Sequence, residues 1–289
     1  MLTSTSRRAW LSNGAGEPWQ VGERGARALR SELGLGDAPI DIRDVIRRRG
    51  VLLAIQRFPT EWGDGRYLKK GIRNLIILNA TIGDSNRARF TAAHELGHHE
   101  LHRDQQEVVV YIDTNVHAPA RTKNREEREA DAFAAYLLAP TDALLRELHG
   151  VPGRDVTPDH IVGLMRRYGL SYTGLAYRVH NAGLISATTR NRLLELGEGH
   201  VRQLLSAFPP RDDDAFFSSP QLPDDFRASA LALYEHRHVT LERLAELLRI
   251  TQDEALALVR EAGNEHPAGL EPDEDAVAEL RALAEGDIA

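Results

Sequence analysis

Four histidines fall within nine residues, His94 to His102, in the stretch FTAAHELGHHELHRD (90–104). The order His94-Glu95-Leu96-Gly97-His98 is the feature with chemical content. On a helix, positions i and i+4 lie one turn apart on one face. Two imidazoles so placed can take two positions of a tetrahedral Zn²⁺. Glu95 is displaced round the helix from that pair. It need not bind a metal, but it can take a proton from an activated water and pass it to a leaving amine. Phe90, Ala93, Gly97 and Leu101 read as an apolar stripe with the two ligand candidates along its edge. His102 lies two turns from His94 and reads as a packed or rim residue. His99 reads as solvent-facing.

A catalytic metal of this kind wants a third protein ligand and one open position. The segment NREEREADAFAAYLLAP (124–140) is the place to seek it. Its core stripe is Ala130, Phe133, Ala134, Leu137 and Leu138. At about 100° per residue, Glu127 falls at the edge of that stripe, beside Asp131. Glu129 falls on the far side, towards solvent. Glu126 also lies near the stripe, and helix geometry alone does not exclude it. The one-turn spacing of Glu127 and Asp131 favours Glu127 as ligand, with Asp131 accepting the free N–H of a ligating imidazole. A tetrahedral oxyanion would also need a donor. Tyr111, Tyr136, Tyr172, His117 and Arg121 are all candidates, and the sequence does not choose among them.

The elements around these residues suggest an α+β fold. A helix is predicted from Val21 to Leu35, and a short one in IDIRDVIRRRG. VLLAIQRF and NLIILNATI read as strands, and EWGDGRYLKKG as a turn-rich insertion. NLIILNATI could be an edge strand that holds a peptide by β-addition, or equally a buried core strand. Helices follow over about 87–102, 124–138 and 142–149. PDHIVGLMRRYGLSYTGLAYRVHNAGLIS has helix–turn–helix spacing, with Gly169 and Ser171 in the turn. Residues 207–225 are rich in Pro, Ser and Asp.

FTAAHELGHHELH followed by EREADAFAAYLLAP resembles the ImmA/IrrE family of bacterial metallopeptidases, closely over Phe90–Pro140 and loosely on either side. The resemblance implies a gluzincin-type zinc endopeptidase, with Zn²⁺ (or Mn²⁺) held by His94, His98 and Glu127 and with Glu95 as general base. It also implies a substrate: a helix–turn–helix repressor of XRE type, encoded nearby, whose cleavage releases a stress, phage-defence or mobile-element response. The expected layout is a zincin-like metallopeptidase domain over 19–195, with helix–turn–helix-like helices at 141–195. A linker at 196–223, a helical accessory region at 224–265 and an acidic tail at 266–289 follow. The sensor domain of GAF type that some members carry is not recognisable in residues 200–289.

Composition bounds the alternatives. The chain has 289 residues, no cysteine and a net charge of −7, so any metal rests on His and carboxylates. The rival readings are a metal-binding regulator that acts by binding a repressor, and a DNA binder. Residues 154–195 hold six arginines against three acids, whereas 224–265 hold five arginines against nine acids. Duplex affinity depends on neutralising phosphates, so the second segment is a poor DNA reader and the first is a candidate contact for a nucleic-acid trigger. No apolar run is long enough for a signal peptide or a spanning helix. A cytoplasmic, soluble protein with no membrane partner is expected.

Overall fold

Pro18 opens the first helix, α1 (Pro18–Glu32), where its missing N–H costs nothing. The computed structural model describes residues 16–59, 63–70, 73–102, 108–112, 124–217 and 219–262. Two compact units divide the chain, Met1–Pro220 and Gln221–Ala289. The expected acidic tail at 266–289 lies outside the described residues.

In the first unit, α1 leads to α2 (Ile42–Arg48), capped by Asp41, and then to a four-stranded sheet. Its strands are β1 (Leu52–Gln56), β2 (Gly65–Lys70), β3 (Arg73–Asn79) and β4 (Val108–Ile112), in spatial order β1-β3-β2-β4. β1 runs parallel to β3 in the register Leu52↔Leu75, and β2 pairs antiparallel with both β3 and β4. NLIILNATI is therefore the buried interior strand of the two alternatives, not an edge. Paired on both sides, it has no free ladder for a peptide, and its buried Ile76 and Leu78 belong to the core. Among the described residues the edge beyond β2 is β4. The insertion EWGDGRYLKKG also departs from expectation, because Gly65 to Lys70 form β2.

Helix α3 (Ser85–Leu101) begins at Asp84, whose carboxylate accepts from the Asn86 and Arg87 amides. Such a cap satisfies donors that a helix start leaves free. Every residue from Thr91 to His99 is buried. The helix is thus enclosed on all sides instead of carrying one apolar stripe. The sheet covers one side through Gly65, where an added Cβ would stand 2.5 Å from Thr91 Cγ2. On the other side runs α4 (Arg125–Leu138), capped by Asn124. A Cβ at Gly97 would stand 3.2 Å from Ala130 Cα, so glycine lets the two helices approach closely there. α1 closes the layer from behind: a Cβ at Gly22 would fall 2.5 Å from the Phe133 amide nitrogen.

α5 (Thr141–Glu147), α6 (Pro158–Tyr168) and α7 (Tyr172–Asn181) extend the same core. Gly169 links α6 to α7 at φ 71°, in the left-handed region where glycine is least strained. The helix–turn–helix spacing is thus realised, and its apolar residues Ile161, Leu164, Leu175 and Val179 face the core. After α8 (Ala187–Leu194), residues 196–223 differ from the expected linker. They carry α9 (Glu198–Leu205) and α10 (Asp214–Phe217). Asp213 takes both Nε and Nη2 of the buried Arg89 of α3, at 2.8 and 2.6 Å, and Phe217 is buried beneath that guanidinium.

The second unit holds α11 (Asp224–Glu235), α12 (Leu241–Leu248) and α13 (Gln252–Ala262) around a small core of Ala230, Leu244, Ala245, Leu248 and Ala255. Among the described residues no helix is long and apolar enough to cross a membrane.

Candidate metal centre

The close approach of α3 and α4 brings three side chains to one point. His94 and His98 present their Nε2 atoms 3.1 Å apart. Glu127 Oε2 stands 3.2 Å from His94 Nε2, and its Oε1 stands 3.4 Å from His98 Nε2. Bonds of about 2.0–2.1 Å at tetrahedral angles space zinc donors about 3.3–3.4 Å apart. Two imidazole nitrogens and a carboxylate at these separations therefore fit a divalent cation. Among the described residues these three form the group of candidate ligands that converges.

Burial and charge act together here. Burial alone would lower the pKa of His94, but hydrogen bonds to Asp131 and Glu127 outweigh it and lift the imidazolium to about 10. His98 moves the other way, to about 4, because burial dominates over the help it receives from Glu127. Burial would raise Glu127, yet the two imidazoles hold its carboxyl far below the usual range. These shifts favour the anion at Glu127 and the neutral imidazole at His98. A cation entering the site has one proton to displace, that on His94.

Asp131 accepts from His94 Nδ1 at 3.0 Å, the partner expected for it. Glu95 is fully buried beside the pair, with its Oε1 3.1 Å from where a Gly65 Cβ would be. Gly65 gives the carboxyl its room. Glu126 is not part of the converging group.

Two neighbouring residues, His99 and Glu129, differ from expectation, and His102 takes the packed alternative. His99 is buried, not solvent-facing, with Nδ1 3.0 Å from the Tyr67 hydroxyl of β2. His102 is buried as well, with Nδ1 3.0 Å from His98 Nδ1 and Nε2 3.1 Å from Glu129 Oε2. Glu129 is buried instead of lying towards solvent. One signal was available in the sequence: His94, His98 and His102 repeat every four residues, so a partner of the second could be read from the third.

Of the candidate oxyanion donors, Tyr172 donates to the Leu193 carbonyl at 3.2 Å, and the Tyr136 ring lies under the Arg178 guanidinium at 3.8 Å. His117, Arg121 and the side chain of Tyr111 lie outside the described residues.

A small mixed sheet laid over an HExxH helix, with an acid supplied by the helix that follows, defines a zincin-like domain of metallopeptidase type. Residues 46–180 match a peptidase family model described as the IrrE N-terminal-like domain. That match spans a little under half of the chain, and over it the chain is similar to the ImmA/IrrE family. No curated protein matches the chain.

Proposed function

We propose that this protein is a zinc-dependent endopeptidase that cleaves a helix–turn–helix transcriptional repressor and so derepresses a stress, phage-defence or mobile-element response. The observation that carries the reading is the convergence of His94, His98 and Glu127 at 3.1–3.4 Å with Glu95 on the next residue of the same helix. Zn²⁺, or Mn²⁺ in its place, would polarise the scissile carbonyl and acidify the attacking water. The rest of the work falls to the chain's own groups. Glu95 takes the proton of the water and delivers it to the leaving amine nitrogen. Asp131 keeps the His94 ring oriented by holding its Nδ1 proton. Gly65 leaves the space in which the Glu95 carboxyl moves between the two proton positions. The burial of Glu95 and of both imidazoles fits a low basal rate that a trigger, a nucleic acid or a second protein, raises.

The test mixes the full chain with a helix–turn–helix repressor encoded beside its gene, in Zn²⁺ or Mn²⁺, next to the Glu95→Gln variant. Metal-dependent cleavage that the variant lacks supports the proposal. Tight binding of the repressor without cleavage under any metal or candidate trigger would replace it with a metal-binding regulator.

A further inference from the structure

His94 and His98 are oriented by different means. His94 Nδ1 meets a carboxylate directly, at Asp131. His98 Nδ1 meets another imidazole, His102, at 3.0 Å. His102 Nε2 in turn lies 3.1 Å from Glu129 Oε2, and the second oxygen of Glu129 accepts from Arg125 Nε at 2.7 Å. We infer that His102, Glu129 and Arg125 form a positioning chain that fixes the tautomer of His98, so that its Nε2 lone pair faces His94 and Glu127. The inference rests on the metal-site reading above.

The direction of the chain follows from counting donors. Arg125 can only donate, so it anchors Glu129 as an ionised acceptor. Glu129 Oε2 then requires a proton on His102 Nε2. In a neutral His102 that leaves Nδ1 as an acceptor. His102 Nδ1 in turn requires the proton of His98 on Nδ1, and Nε2 of His98 is left with its lone pair. With His102 neutral, every bond from Arg125 through Glu129 and His102 to His98 Nδ1 then has one donor and one acceptor. The opposite order fails at Glu129, where a bare His102 nitrogen would face a carboxylate oxygen across 3.1 Å. It would also place the His98 proton on Nε2, the atom whose lone pair a metal ion would need. His98 lies on α3 and His102 at its C-cap, and Arg125 and Glu129 lie on α4. The same helix contact therefore sets both the ligand Glu127 and the anchor Glu129. His102 is on this account a positioning residue.

The test uses the full chain labelled with ¹⁵N in its histidine rings, with and without Zn²⁺. The long-range proton–nitrogen spectrum reads the tautomer, and His98→Ala assigns the signal. The wild type is expected to carry the His98 proton on Nδ1 in both states. His102→Phe keeps a ring of similar size and removes both nitrogens. It should let His98 exchange between tautomers and weaken Zn²⁺ binding by about 10–100-fold. His102→Asn returns an acceptor near the Nδ1 position and should restore most of both. A proton on His98 Nε2 in the metal-free wild type overturns the inference. So does a folded His102→Phe chain, judged by its thermal transition, with unchanged tautomer and unchanged Zn²⁺ affinity. Should His102→Phe fail to fold, the wild-type tautomer and the Asn variant decide. A wild type that binds no Zn²⁺ sinks the proposed function alone, since the metal-free tautomer still judges the chain.

Discussion

Substituting Gly97→Ala tests whether the contact between α3 and α4 sets the metal site. The added Cβ would lie 3.1 Å from Phe133 Cδ1, 3.2 Å from Ala130 Cα and 3.4 Å from Ala130 Cβ. Carbon atoms at rest sit about 3.5–4.0 Å apart, so α4 must retreat by about 0.5 Å. Overpacking of this size costs about 1–3 kcal/mol. Alanine returns about 1 kcal/mol through helix propensity, so the net loss of stability is about 0–2 kcal/mol. Glu127 sits one turn before Ala130 and moves with it. Metal–ligand distances tolerate only about 0.2 Å, so Zn²⁺ affinity should fall by at least about tenfold. The assay pairs urea unfolding of the metal-free chain with a Zn²⁺ competition titration against a chromogenic chelator. The signature is a loss of affinity out of proportion to the loss of stability. Unchanged or tighter Zn²⁺ binding in a folded variant would refute the idea that the Gly97–Ala130 contact positions Glu127.

Gly65→Ala would set a Cβ 2.5 Å from Thr91 Cγ2 and 3.1 Å from Glu95 Oε1. It should lower kcat for repressor cleavage severalfold while zinc content, read by elemental analysis, stays at the wild-type level. Asp213→Ala strips the buried Arg89 of its bidentate partner. Asp214 still accepts from the same guanidinium, so the loss should fall short of the about 3–5 kcal/mol that an uncompensated buried charge costs, which urea unfolding would show. pH titration of metal binding follows from His94, whose folded pKa rises from 6.5 to about 10. Zn²⁺ must displace that proton, so affinity should climb about tenfold per unit from pH 6.5 towards 10 and then level off. Because the folded value is the raised one, the stability that protonated His94 gives the metal-free chain is complete below pH 6.5 and fades as pH rises to about 10. Thermal melts of the chelated chain across that range check the sign.

The sequence exposes the parts of the site that depend on one helix at a time. His94 and His98 follow from a four-residue step, and so does the pairing of Glu127 with Asp131. A helical wheel assumes one buried face, however, and α3 has none that is free. That assumption is why His99 and Glu129 read as solvent-facing, although both are buried. β2 was hidden because GRYLKK alternates poorly: its inward positions are Gly65 and Tyr67, and the glycine carries no hydrophobic signal. The order of the strands needs pairing information that no local pattern holds, so β3 could be taken for an edge. Residues 207–225 look like a linker by composition, because nothing local reveals that Asp213 answers an arginine 124 positions earlier.

Zinc-edge X-ray absorption on the full chain loaded with one equivalent of Zn²⁺ reads whether His94, His98 and Glu127 hold the metal. Two imidazole nitrogens and oxygen donors at about 2.0–2.1 Å are expected. One imidazole should disappear in His98→Ala, and an oxygen donor should change in Glu127→Ala. A spectrum without imidazole scattering, or one that neither substitution alters, would contradict that ligand set.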